Sequence, residues 1–281
     1  MSAVPIPFPS SLSPSRASDY MTCPLLFRFR SIDRLPEEPS PAAVRGSLVH
    51  RALETLFDLP AHDRTLDAAA DLVVRAFDEM VRDEPESARA VQGDGGSAPD
   101  VAALLESYFG LEDPRRLEPH ARELGVSAQL AESFEIRGFI DRVDRTPDGL
   151  IRIVDYKTGR SPGPAFEAKA MFQMRFYALT WWRMTGTVPR LLQLMYLGNS
   201  ELLRYEPDED DLLSTERKIL ALRDAIARAA DAREFPPTPS KLCDWCSHRG
   251  LCPAWGGTPP PLPDRDEWPT SSSRVPIDPE A

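Results

Sequence analysis

FEIRGFIDRVDRTPDGLIRIVDYKTG, residues 134–159, decides the reading of this chain. Phe134, Ile136, Gly138 and Ile140 alternate with Glu135, Arg137, Phe139 and Asp141, the period of a strand. A second strand follows, in which Ile151, Ile153, Asp155 and Lys157 share one face. Thr146-Pro147-Asp148-Gly149 between them has the composition of a tight turn. If Pro147 to Gly149 form a three-residue loop, Thr146 faces Leu150 and Asp141 falls opposite Asp155. Opposed residues in a hairpin have Cβ atoms about 4.5–5.5 Å apart, close enough for two carboxylates to share a divalent metal. Paired acids in a hairpin are usually solvated surface. Here they extend an apolar face, and Lys157 follows Asp155 by two residues.

Composition bounds what surrounds this hairpin. With 281 residues, 42% apolar and 27% charged, the chain has the makings of a globular protein of one large or two modest domains. Its net charge of −11 argues against coating nucleic acid over the whole surface, but leaves room for a local basic groove. Arg28, Arg30, Arg34, Arg45 and Arg51 supply candidates near the N-terminus, with solvation and substrate contact equally good readings. Many of the 29 prolines lie in the first 41 residues or after Phe235 and mark the ends of the chain. Residues 1–20 lack the pattern of a signal peptide. No run approaches the roughly 18 apolar residues of a membrane span. Four cysteines are too few for a disulfide scaffold, so a cytoplasmic location is expected.

Taken in order, residues 1–12 read as a disordered or extended tail. Ser13-Pro14 starts a helix that ends before Pro24. Val44, Leu48, Val49, Ala52, Leu53, Leu56 and Phe57 fall at helical spacing, with His50 beside the stripe. A lone histidine on a helix is far more often a surface or core residue than a ligand. Residues 64–120 read as a helical insertion broken by a flexible loop over 93–97. Residues 125–130 lead into the hairpin as a strand. A helix over about 166–184 places Gln173 and Tyr177 on one face, where plain packing is the bland reading. A second hairpin over 190–205 and a helix over 208–233 follow. From Gly256 to 281 the chain reads as a disordered Pro- and Ser-rich tail. This order predicts an α/β fold, a mixed central sheet flanked by helices.

Three cysteines bunch as Cys243-Asp-Trp-Cys246-Ser-His-Arg-Gly-Leu-Cys252, and Cys23 stands 220 residues before Cys243. A redox pair would leave Cys23 and Cys252 without a role. Structural zinc usually draws two close ligand pairs, whereas the arrangement here is one plus three. A Cys3His zinc site using His248 and an all-cysteine iron–sulfur cluster both remain open, with the cluster preferred. Either would clasp the first helix to the C-terminal segment and convert binding energy into folding energy.

These residues together resemble a known family. Ser13-Pro14-Ser15 with Cys23-Pro24, Gly46-Ser-Leu-Val-His50, Gly138-Phe-Ile-Asp141-Arg-Val-Asp144, Val154-Asp-Tyr-Lys-Thr-Gly159, Gln173 with Tyr177, and the CxxCx5C ending appear in one order. That order resembles the RecB-like branch of the PD-(D/E)XK nucleases, specifically stand-alone exonuclease-type members with a four-cysteine iron–sulfur cluster. The likeness runs from about Ser13 to Trp255. It implies a restriction-endonuclease-like core in a nuclease domain over 13–255. It implies that His50, Asp141, Asp155 and the carbonyl of Tyr156 hold Mg2+ or Mn2+, and that Lys157 orients the attacking water or steadies developing charge. Gln173 and Tyr177 would line the site and touch substrate. Cys23, Cys243, Cys246 and Cys252 would bind a [4Fe-4S] cluster, with zinc the alternative.

The expected activity is metal-dependent hydrolysis of DNA, as an exonuclease on single strands or ends, in repair or recombination. DNA is the expected partner, with a helicase in trans as another, and no membrane. Two competing readings are a non-catalytic DNA-binding or scaffold module and a zinc-clasped interaction protein. Retention of His50, Asp141, Asp155 and Lys157 favours the enzyme.

Overall fold

The computed structural model describes residues 8–92 and 97–269, and the side chains of these except 164–169. Its centre is the hairpin of β3 (Phe134–Arg145) and β4 (Ile151–Lys157). The turn forms through Gly149 N–H donating to Thr146 O at 2.9 Å and Thr146 N–H donating to Leu150 O at 3.0 Å. Gly149 takes φ +88°, a conformation that glycine adopts without steric cost. The resulting register pairs Arg145 with Ile151, Val143 with Ile153 and Arg142 with Val154.

Four further strands complete a six-stranded mixed sheet. β2 (Ala121–Ala131) runs antiparallel along one edge of β3. The other edge is shared by β4 and by β1 (Ser11–Leu12), which pairs parallel with Glu135 and Ile136. β5 (Leu191–Tyr196) lies parallel to β4, and β6 (Glu201–Tyr205) closes the sheet antiparallel to β5. A parallel pair needs a crossover, here the long helix α7 (Pro164–Thr185), stopped by Gly186 in the left-handed conformation.

Both faces of the sheet are buried. Ile151, Ile153, Leu192 and Leu194 pack with Phe172, Phe176 and Leu179 of α7 and with Leu212 and Ile219 of α8 (Glu209–Ala232). Helices α1 (Pro14–Thr22) and α2 (Pro24–Ser31) add Ala17 and Phe27 to this layer. The alternate residues Val154, Tyr156, Met195 and Leu197 face the opposite layer, built from α3 (Pro41–Leu56), α4 (Leu66–Asp83) and α6 (Ala102–Leu111). A short helix, α5 (Pro85–Val91), extends that side. The expected loop over 93–97 lies, apart from Ser97, outside the described residues. Among the described residues no helix is long and apolar enough to cross a membrane.

A close backbone approach fixes the end of β4. Leu197 N–H donates to Lys157 O at 2.7 Å and Gly198 N–H to Gly159 O at 3.1 Å. A Cβ on Gly198 would stand 2.6 Å from the Gly159 carbonyl. Gly198→Ala must therefore separate these segments and should cost about 1–3 kcal/mol, the range for overpacking. Chemical denaturation measures it, and an unchanged midpoint would show that the backbones part freely.

The described parts of both expected tails, residues 8–12 and 256–269, are more ordered than composition suggests. Residues 8–12 of the 1–12 segment contain β1, and the Phe8 ring meets that of Trp268 at 4.9 Å. Residues 256–269 of the 256–281 segment pack back on the domain. Trp268 is buried against Phe8 and Phe235, its indole N–H donates to Pro263 O at 3.0 Å, and Arg28 donates to Pro260 O. Arg28 is thus a buried tether for this segment. Isolated aromatic residues within proline-rich sequence carry no periodicity, so this packing leaves no pattern to read. Residues 1–7 and 270–281 lie outside the described residues.

Candidate active site

The regular ladder between β3 and β4 ends at Arg142 and Val154. The next pair in that register is Asp141 and Asp155, the pair expected from the turn. Instead of continuing the ladder, the Asp141 carboxylate accepts the Tyr156 backbone N–H at 2.7 Å. On the far side of β3 the pairing with β2 is likewise interrupted between Arg142–Arg122 and Ile140–Leu124. The residue opposite Asp141 there is Glu123, at φ +43°. A non-glycine residue in the left-handed region is uncommon in a strand. Ile140 and Val143 both pack in one core layer although their parity differs, so β3 is distorted on either side of Asp141.

Asp155 is 2% exposed and held from two directions. Lys157 Nζ lies 2.6 Å from one carboxylate oxygen, and the Gln173 amide donates to the other at 3.1 Å. Lys157 also donates to the Gln173 carbonyl at 3.0 Å, and the Gln173 amide donates to the Tyr177 hydroxyl at 3.1 Å. The four-residue spacing on α7 stacks Gln173 and Tyr177 over the end of β4. Gly138 makes this fit: a Cβ there would meet the Tyr177 ring at 2.8 Å. Burial, and then the Asp155 charge, push the Tyr177 phenol upward, so it stays protonated.

His50 arrives from the opposite layer on α3. Its Nδ1 lies 3.4 Å from Asp141 and its Nε2 3.0 Å from the Tyr156 carbonyl. Glu123 completes the cluster. One ligand atom from each of His50, Glu123 and Asp141 lie within 4.8 Å of one another. Burial, and secondly Asp141, raise Glu123 to about 7. Burial, and secondly Asp155, hold Asp141 well above the ordinary carboxylate range. Carboxylates crowded together in this way raise one another's pKa. His50 and Glu123 border an open cleft of about 630 Å³, lined also by Gly46, Arg51 and Phe139. Sequence reading missed Glu123, because an acid at a strand irregularity carries no motif.

Behind the site, Arg142 is 1% exposed and braces it. Its guanidinium donates to Glu112 at 2.6 and 2.8 Å, to the Tyr156 hydroxyl at 2.8 Å and to Asp144 at 3.2 Å. Fixing the Tyr156 side chain fixes the backbone whose carbonyl faces His50 and whose N–H binds Asp141.

The four cysteines line one pocket of about 280 Å³, between the junction of α1 and α2 and residues 237–255. Thr238 N–H donates to Cys23 Sγ and Ser240 N–H to Cys243 Sγ, each at 3.3 Å. Cys246 is raised by burial and also by the neighbouring Cys243 and Cys23 thiols, while the His248 N–H bond opposes the shift. Among the described residues no three cysteine sulfurs gather within 4.8 Å of one another. Buried His248 also lines this pocket, with Nε2 2.8 Å from Glu37 and its ring against Phe29.

Comparison with known proteins follows the same outline. Residues 11–253 match the model of the PD-(D/E)XK nuclease superfamily. Over 168 residues, 56% of the chain, it is 28% identical to an ATP-dependent helicase/deoxyribonuclease subunit of Streptococcus mutans. It is 31% identical over 134 residues to the corresponding helicase/deoxyribonuclease subunit of Streptococcus equi subsp. zooepidemicus. The alignments span only 15% and 12% of those two proteins. The Gene 69 protein of Mycobacterium phage D29 is 24% identical over 289 residues, covering 86% of this chain and 96% of that one. A crystal structure from Eubacterium rectale, described as that of a presumptive exonuclease, superposes with a TM-score of 0.57 at 15% identity. It covers 85% of this chain and 88% of its own, a likeness of fold.

Proposed function

Because the chain belongs to the PD-(D/E)XK nuclease superfamily, we propose that it is a Mg2+- or Mn2+-dependent deoxyribonuclease acting on single strands or duplex ends. The observation that carries this reading is the convergence of His50, Asp141, Asp155, Lys157, Gln173 and Tyr177, from α3, β3, β4 and α7, at one end of the sheet. The donor set suits a hard divalent cation: carboxylates of Asp141 and Asp155, the Tyr156 carbonyl and His50, with Glu123 as a further carboxylate. Such a metal supplies a water of lowered pKa and polarises the phosphate.

The protein's own residues do the rest. Lys157, pinned between Asp155 and Gln173, presents an ammonium where negative charge grows on the phosphate. Gln173 fixes the Asp155 carboxylate and the lysine together, and Tyr177 fixes Gln173. The Tyr156 N–H aims Asp141, while His50 bridges Asp141 and the Tyr156 carbonyl.

The cysteine pocket fits a [4Fe-4S] cluster better than zinc. Backbone N–H groups reach Cys23, Cys243 and Cys246, the kind of bond that sets cluster potentials. The histidine of a Cys3His zinc set would have to be His248, whose Nε2 is engaged by Glu37. The likeness to helicase/deoxyribonuclease subunits makes a helicase partner and a role in repair or recombination part of the proposal.

End-labelled single-stranded and blunt duplex DNA and internally labelled circular DNA test the mode. With Mg2+ or Mn2+ the linear forms should shorten from an end, circular single strands should survive, and EDTA should stop the reaction. Cutting of the circle at the linear rate would replace the exonuclease reading with an endonuclease.

A further inference from the structure

A second, cationic pocket of about 250 Å³ lies where α1, the end of α2 and β3 meet. Arg16, Arg30, Arg34 and Arg137 line it, with Ser10 and Ser31 between them. Arg16 is built in: its guanidinium donates to Ser31 Oγ at 3.3 Å and to Ser11 O at 3.1 Å. Burial, and then the neighbouring Arg137 and Arg34 charges, pull Arg16 down to about 10. Among the described residues, the four arginines share this corner with two acids, Asp19 and Glu37, both of which pair with Arg30. The described side chains of the corner therefore sum to a positive charge, in a chain of net charge −11.

The pocket is aligned with the candidate active site. Arg137 precedes Asp141 by four residues on β3, about 13 Å at strand rise. Phe139 stands between them on the same face, 52% exposed, and borders the cleft that His50 and Glu123 line. Its partners across the ladder are small: Gly125 faces Phe139 and Ser127 faces Arg137. An exposed aromatic flanked by a cationic groove is the arrangement that holds a single strand, bases on the ring and backbone in the groove.

We propose that this arginine pocket binds a phosphate of the DNA strand about two nucleotides from the one at the Asp141–Asp155 centre, with an intervening base stacked on Phe139. The assignment rests on the nuclease reading and adds a subsite to it. Either a terminal phosphomonoester or an internal phosphodiester supplies the chemistry.

The test measures binding of the full chain to labelled single-stranded DNA in EDTA, across a salt series. Each phosphate contact on a single strand contributes about 0.7 to the salt slope. The double variant Arg34→Gln/Arg137→Gln should therefore flatten the slope by about 0.7 and weaken binding to all sequences. The matching Arg34→Lys/Arg137→Lys variant should keep most of the slope, and Phe139→Ala should weaken binding roughly tenfold. Thermal melting confirms that each variant folds. A 5′-phosphate preference that the Gln variant abolishes assigns the pocket to a strand end. Equal binding of 5′-phosphate and 5′-hydroxyl strands, with the slope still flattened, assigns it to an internal phosphate. If the Gln variant keeps the parent's slope and affinity while the parent cuts DNA with Mg2+, the subsite is refuted and the nuclease reading stands. If the parent neither binds nor cuts DNA, both fall.

Discussion

Lys157→Ala should bind metal and DNA close to normally yet cut about 10²–10³-fold more slowly. The magnitude is that of removing one electrostatic stabiliser aimed at developing charge. The geometry separates this residue from those around it. Lys157 Nζ contacts Asp155 at 2.6 Å and Gln173 at 3.0 Å, so it adds a charge to the site and no ligand atom for a cation. Removing it frees Asp155 from its ion pair, and metal affinity should hold or rise. Calorimetry with Mn2+ and single-turnover cleavage measure the two effects separately. Equal losses in both would make Lys157 a structural brace of Asp155.

The second large effect concerns the cysteine pocket. Cys252→Ser or Cys23→Ser should remove the brown colour and visible absorbance of protein purified without oxygen and lower the melting temperature markedly. The pocket joins the α1–α2 junction to residues 237–255, so ligand binding there closes a loop of more than 200 residues, and its free energy becomes folding free energy. Cys23 is half-buried, and its sulfur accepts the Thr238 N–H. A serine there is nearly isosteric and can accept the same bond, so a large loss of stability would reflect a lost ligand. Colourless wild-type protein with stoichiometric zinc would contradict the cluster.

The sequence made the centre of this fold legible because its signals were local. Pro147-Asp148-Gly149 set the hairpin register, and that register put Asp141 and Asp155 next in line beyond Arg142 and Val154. The four-residue spacing of Gln173 and Tyr177 placed both on one helix face, and the structure joins them to Asp155 and Lys157. What stayed hidden depended on distant segments meeting. Glu123 joins His50 and Asp141 only because β2 and β3 are irregular at the same level. Arg16, Arg34 and Arg137 form one pocket only after α1 packs beside β3. Phe8 and Trp268 come from opposite ends of the described chain and meet in one aromatic cluster, which proline-rich composition concealed.

The claim that the end of this hairpin is a metal-dependent phosphodiesterase centre is tested most directly with Asp155→Ala. Wild type and variant are compared on labelled single- and double-stranded DNA with Mg2+ and with Mn2+, and Mn2+ binding is measured on the same preparations. Asp155 is buried and faces Lys157 and Gln173. Its loss should abolish detectable cleavage and weaken Mn2+ binding in a protein that still folds. Cleavage by the variant at the wild-type rate, or no cleavage by wild type with either metal, would contradict the account.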